Sequence, residues 1–119
     1  MSAADETFDT GLSPDDLDPE RPRPILTPWG TLALYRVGTA VWAVQAFCPH
    51  LDGPLFEGTL SGGTITCPWH RWRYDLATGE RVDALRPAVS EPLVRCDVRV
   101  GPEGTVVLAR PARAIRPLT

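Results

Sequence analysis

The sequence predicts an all-β, antiparallel domain, and three observations carry that reading. Short runs rich in Val, Leu, Ile and aromatic residues recur along the chain, and Gly-containing turns separate them. No stretch holds a helical apolar period with caps at its ends. At 119 residues, with 43% hydrophobic and 23% charged content, the chain has the size and composition of one ordinary globular domain.

Residues 1–24 are acidic, then Pro-rich. Residues 1–20 carry seven acids (Asp5, Glu6, Asp9, Asp15, Asp16, Asp18, Glu20) and no base, and Pro14, Pro19, Pro22 and Pro24 interrupt the segment. Such a composition buries little apolar surface and reads as a tail. It has no apolar signal region, so a cytoplasmic location is the default expectation. No apolar run is long enough to cross a bilayer. Three cysteines, an odd count, fit a reducing compartment better than a disulfide framework.

The folded domain is expected over residues 25–109. TLALYRV (31–37) and AVWAVQAF (40–47) read as strands joined by a turn at Gly38-Thr39. GTLSGGTITC (58–67) reads as a second hairpin, tipped by Ser61-Gly62-Gly63. WRYDLATGERVD (72–83) turns at Ala77-Thr78-Gly79, and LVRCDVRV (93–100) and TVVLA (105–109) flank Gly101-Pro102-Glu103-Gly104 as a fourth hairpin. Residues 110–119 form a C-terminal tail with Arg110, Arg113 and Arg116. Beyond residue 20 the chain has twelve Arg, no Lys and eight acids, a net of +4. These Arg are scattered and accompany no nucleic-acid motif, so they read as solvated surface charge.

One stretch stands apart. Residues 48–75 contain both histidines and two of the three cysteines, as Cys48-Pro49-His50 and Cys67-Pro68-Trp69-His70. Each pair follows an expected strand, where a loop begins. A Cys/His nucleophilic dyad needs one pair and leaves the repetition unexplained. Thiolate and imidazole together are ligands for zinc or iron. Zinc would take all four groups on one ion, and the single residue between Cys48 and His50 is tight for that. Two adjacent metals suit the spacing better, with both Cys on one iron and both His on the other.

With those residues in place, the sequence resembles the Rieske 2Fe-2S proteins. C-x-H, sixteen residues and C-x-x-H match that signature, CPHLDGPLFEG matches CPHxxxPLxxG, and WRYDLATG matches the W-x-Y-D…T-G hairpin. The resemblance spans most of residues 31–109. It implies a Rieske-like antiparallel β-sandwich with a small cluster-binding subdomain at about 47–88. It also implies one 2Fe-2S cluster, held by Cys48, His50, Cys67 and His70. In the bc-type branch two further Cys pair between the loops; Gly53 and Trp69 stand at those positions here. The high-potential branch also uses a Ser and a Tyr after the last His, where this chain has Trp72 and Tyr74. Losing a donor to sulfur lowers the potential, which points to the low end of the Rieske range, about −150 mV rather than +300 mV. Arg71 stands where the family has Gly. Pro54, Leu55, Pro87 and Ala88 are expected to shield the cluster, and Leu51, Asp52, Trp69 and Arg71 to rim its docking face. Cys96 shares an apolar alternation with Val94, Val98 and Val100 and reads as a buried structural thiol.

No His is left over for a catalytic iron of the two-His-one-carboxylate kind. The chain is therefore not expected to be the oxygenase itself, and the resemblance implies a one-electron carrier, expected as a monomer and not an enzyme. It would pass electrons from an NAD(P)H-dependent flavoprotein reductase to a terminal oxygenase, through transient docking. The alternatives are the small Rieske subunit of a multisubunit reductase such as nitrite reductase, and a structural zinc or redox-sensing module. Neither a nucleic acid nor a membrane is an expected partner.

Overall fold

A computed structural model describes residues 6–48, 53–69, 71–82 and 92–111. These carry ten strands: β1 (Thr7–Asp9), β2 (Arg23–Thr27), β3 (Gly30–Val37), β4 (Ala40–Gln45), β5 (Thr59–Ser61), β6 (Thr64–Thr66), β7 (Arg73–Asp75), β8 (Arg95–Cys96), β9 (Val98–Val100) and β10 (Val106–Ala109). Short 3₁₀ turns at Pro14–Asp16 and Leu55–Glu57 are the helical elements among the described residues. The strands form three antiparallel sheets, ordered β1-β10-β9, β2-β3-β4-β8 and β5-β6-β7.

The central sheet, β2-β3-β4-β8, is covered on both faces, and the two-residue period of its strands divides the core. On β3, Ala33 and Tyr35 face one core with Val37 at its edge, while Leu32 and Leu34 face the other. β4 divides likewise, Trp42 and Val44 against Val41 and Ala43. The first core is completed from the small sheet by Ile65, Tyr74 and Leu76, and it includes Cys48, Leu55 and Cys67. The second core takes Val106 and Leu108 from β10, with Leu17, Val94 and Cys96. Each fully buried aliphatic or aromatic side chain contributes about 1.5–3 kcal/mol of transfer free energy, so both layers are held by apolar burial.

The hairpins at Gly38-Thr39 and Gly62-Gly63 lie where the sequence puts them. Gly62 and Gly63 hold φ of 56° and 87°, the paired left-handed conformation of a tight two-residue turn, which only glycine adopts freely. The return limb of the third hairpin is reduced to one bridge, Tyr74 with Arg81.

Three features differ from the sequence expectation. The stretch read as a tail through residue 24 enters the fold. Residues 7–9 pair with β10, Leu17 is buried at 3% exposure, and β2 begins at Arg23. Composition hides this, because an edge strand needs little apolar content. Pro24 is tolerated in β2 because that strand lies at a sheet edge. The run 93–100 is not one strand. It leaves the central sheet after Cys96 and joins β10 from Val98, with the Asp97 carbonyl accepting from the Ala109 N–H at 2.9 Å. Finally, Val100 lies outside the apolar face expected for it and is 55% exposed. Residues 112–119, in the expected C-terminal tail, lie outside the described residues.

Candidate metal centre

Two loops of like construction carry the cysteines. Cys48 follows β4, and its N–H donates to the Gly53 carbonyl at 2.7 Å. Cys67 follows β6, and its N–H donates to the Trp72 carbonyl at 2.8 Å. In each loop the bond closes a neck from the cysteine to the residue five positions later. The first neck is fixed further by Leu55 N–H to the Ala46 carbonyl at 3.0 Å. Phe47 packs edge-on against Phe56, with ring centroids 5.8 Å apart. Gln45 braces the strand that enters this loop. Its amide donates to the Phe47 carbonyl at 2.7 Å and accepts from the Val94 N–H at 2.7 Å.

The loops meet at Gly53. A Cβ there would lie 2.8 Å from Cys67 Sγ and 3.3 Å from Trp69 Cβ. Two Cys at these positions would therefore sit near disulfide distance, whose Cβ separation is about 3.5–4.5 Å. Glycine and tryptophan remove that option, and Cys48, Cys67 and Cys96 are all free thiols.

Cys48 and Cys67 are each 1% exposed and belong to one core. The Tyr74 hydroxyl lies 3.3 Å from Cys48 Sγ. Burial, then this hydrogen bond, push the Tyr74 phenol well above its usual range, so it stays protonated. Tyr35 shares the core; its hydroxyl is buried and has no partner among the described residues. Trp72 is partly buried against the same core, and the Arg81 guanidinium stacks over its ring at 3.4 Å from the centroid. Leu55 is fully buried there, and Pro54 bridges to Phe47.

Arg71 holds φ of 62°, alone among the described non-glycine residues. Its N–H donates to the Cys67 carbonyl at 2.9 Å, so the loop needs a left-handed residue at that place. Holding Arg there costs about 1–2 kcal/mol relative to glycine. Arg71 is exposed, and Trp69 beside it is 57% exposed. His50, His70, Leu51, Asp52, Pro87 and Ala88 lie outside the described residues.

Comparison with known proteins places this geometry. The family described as Rieske [2Fe-2S] domain matches residues 12–101. The chain belongs to the Rieske family. The cofactor of this Rieske domain is a 2Fe-2S cluster. Ferredoxin CarAc of Metapseudomonas resinovorans is 44% identical over 48 residues, which are 40% of this chain and 45% of that protein. A chain from the complex of reduced oxygenase and oxidized ferredoxin in carbazole 1,9a-dioxygenase is 31% identical, with a TM-score of 0.75 over 87% of this chain and 92% of that one. A chain from Mycobacterium tuberculosis, described as an NADH-dependent nitrite reductase small subunit, is 25% identical, with a TM-score of 0.74 over 91% of this chain and 97% of that one. The Rieske domain described here spans from about a tenth to about half of the length of the curated relatives it matches. Among the described residues, no helix is long and apolar enough to cross a membrane.

The residues fit the cluster. Two thiols share one buried core, a glycine leaves the space beside Cys67 open, and a protonated phenol already contacts Cys48. Tyr35 and Gln45 are the residues that sequence reasoning missed. For Tyr35 the signal was its even spacing from Ala33 and Val37 on one strand. Nothing in the sequence singles out Gln45, because its role depends on Val94, a residue distant along the chain.

Proposed function

We propose that this Rieske protein is a one-electron carrier that takes electrons from an NAD(P)H-dependent flavoprotein reductase and delivers them to a terminal oxygenase, without being an enzyme itself. Cys48 and Cys67 would bind one iron, and His50 and His70 the other. When bound, the cluster supplies a centre that takes up and releases a single electron. The chain's own residues set the conditions. Leu55 excludes water from the thiolate side, Tyr74 donates to Cys48, and Gly53 lets the two loops close. Exposed Trp69 and Arg71 adjoin the His70 position and form part of the face on which a partner docks. The observation carrying the reading is the likeness over 92% of a chain in a complex of oxygenase with ferredoxin.

The test is reconstitution. Added in increments to a reductase and an aromatic-ring oxygenase, the protein should restore NAD(P)H-dependent turnover in proportion to its amount. Turnover should fall as ionic strength rises, since charge-guided transient docking is screened by salt. A second reading, the small subunit of a nitrite reductase, is favoured by the likeness to the Mycobacterium tuberculosis chain. It expects a stable complex on gel filtration of the native protein. Elution with a large subunit, and no restored oxygenase turnover, would decide for it.

A further inference from the structure

Tyr35 is fully buried, yet its hydroxyl meets no partner among the described residues. A buried donor without an acceptor keeps its full desolvation cost, and phenylalanine would fill the same space without it. The placement of Tyr35 suggests where the acceptor lies. It sits on the face of β3 that carries Ala33 and Val37, turned into the core that holds Cys48, Cys67 and Tyr74. Burial, and secondarily the nearby Cys67 sulfur, push its phenol far above the usual range. The hydroxyl is thus a protonated donor inside the same buried core as the Cys67 sulfur. Tyr74, on β7 of the small sheet facing that core, places its hydroxyl 3.3 Å from Cys48 Sγ.

We propose that the Tyr35 hydroxyl donates a hydrogen bond to a sulfur on the Cys67 side of the iron–sulfur centre and stabilises its reduced form. This rests on the reading of Cys48 and Cys67 as ligands. Two phenols, one from each of two sheets, then serve the two thiolates. Tyr35 supplies from outside the ligand loops a donor that Trp72 cannot supply from within them. A hydrogen bond to sulfur favours the electron-rich state, so its loss makes reduction harder.

The experiment is the Tyr35→Phe protein, purified with its cluster. Iron, sulfide and the spectrum of the reduced form establish that the centre is intact, and voltammetry gives the midpoint. The expected result is an intact centre whose reduced-to-oxidised ratio, at a fixed solution potential, falls about three- to tenfold; tenfold corresponds to 59 mV for one electron. An intact centre with an unchanged midpoint overturns the proposal. If this variant does not load its cluster, a second route remains, because the chain has only two tyrosines. In a Tyr74→Phe background, protein grown on 3-fluorotyrosine carries the label at Tyr35 alone. Fluorination makes the phenol a stronger donor, so the midpoint should rise relative to the same variant with ordinary tyrosine. No shift there overturns the proposal. Wild-type protein lacking iron and sulfide would instead refute the ligand reading beneath it.

Discussion

Gly53→Ala probes the contact that lets the two loops close. The added methyl would lie 2.8 Å from Cys67 Sγ, 3.2 Å from Trp69 Cγ and 3.3 Å from Trp69 Cβ. Unstrained contacts between such atoms begin at about 3.5–4.0 Å, so a neighbour must retreat by about 1 Å. Trp69 is 57% exposed and can swing outward. The Cys67 backbone cannot follow, because its N–H is bonded to Trp72 at 2.8 Å and its carbonyl to Arg71 at 2.9 Å, so only its sulfur can turn away. Overpacking of this kind costs about 1–3 kcal/mol. With Cys67 as an iron ligand, as proposed, a sulfur turned away by about 1 Å also falls well outside the roughly 0.2 Å tolerance of a metal–ligand distance. Cluster retention should therefore weaken about 5–30-fold for the first 1–2 kcal/mol of that strain. The assay is iron and sulfide per chain after challenge with a chelator, read against the wild type. Adding Trp69→Ala should not restore retention, since it relieves the ring and leaves the sulfur contact. Wild-type retention in Gly53→Ala would refute the argument that the loops close only around a glycine.

Other perturbations reach the same site and its supports. Tyr74→Phe removes the hydroxyl at 3.3 Å from Cys48 Sγ. If about half of a 1.5–3 kcal/mol charge-assisted hydrogen bond is specific to the reduced state, the midpoint should drop by roughly 30–60 mV in voltammetry. Arg81→Gln removes the guanidinium stacked on Trp72 and should lower thermal stability by about 0.5–2 kcal/mol, with Arg81→Lys recovering part of it. Burial, then the neighbouring Asp97 charge, push the Cys96 thiol from 9.0 up to about 12. The folded state thus keeps a proton that the unfolded chain releases, so this contribution is complete below pH 9.0 and is lost as pH rises from there toward 12. Cys96→Ala should remove that part of the alkaline loss in denaturant titrations, at some cost in packing at neutral pH.

The Cys/His stretch stands out in the sequence because scarce residues at fixed spacing are a local signal. Cys48 and Cys67 need only their own loops to be noticed, and the glycine-tipped hairpin between them fixes the loops side by side. The resemblance aligns Gly53 and Trp69 with the extra cysteine pair of the bc-type branch, and the structure puts them side by side. What stayed hidden depends on distant partners. β1 is a strand only because β10 offers it an edge, and its acidic composition argues against it. A stronger sign was available for β2. Thr27-Pro28-Trp29-Gly30 is a turn sequence, and the Thr27 hydroxyl donates to the Gly30 carbonyl at 2.6 Å. The break at Asp97 cannot be read from the alternation, since Val94, Cys96 and Val98 face one core although β8 and β9 belong to different sheets. Tyr35 reads in the sequence like any strand aromatic, because the core it shares with the thiols is assembled from loops distant along the chain.

In the proposed centre, Cys48, His50, Cys67 and His70 together hold one mixed-ligand iron–sulfur cluster. Its most direct test is anaerobic purification, iron and sulfide analysis, and electron paramagnetic resonance of the reduced protein. The expected result is two irons and two sulfides per chain, as the 2Fe-2S family requires, and the low average g of an iron bound by imidazole. Zinc without sulfide, or the signal of an all-cysteine cluster, would contradict it.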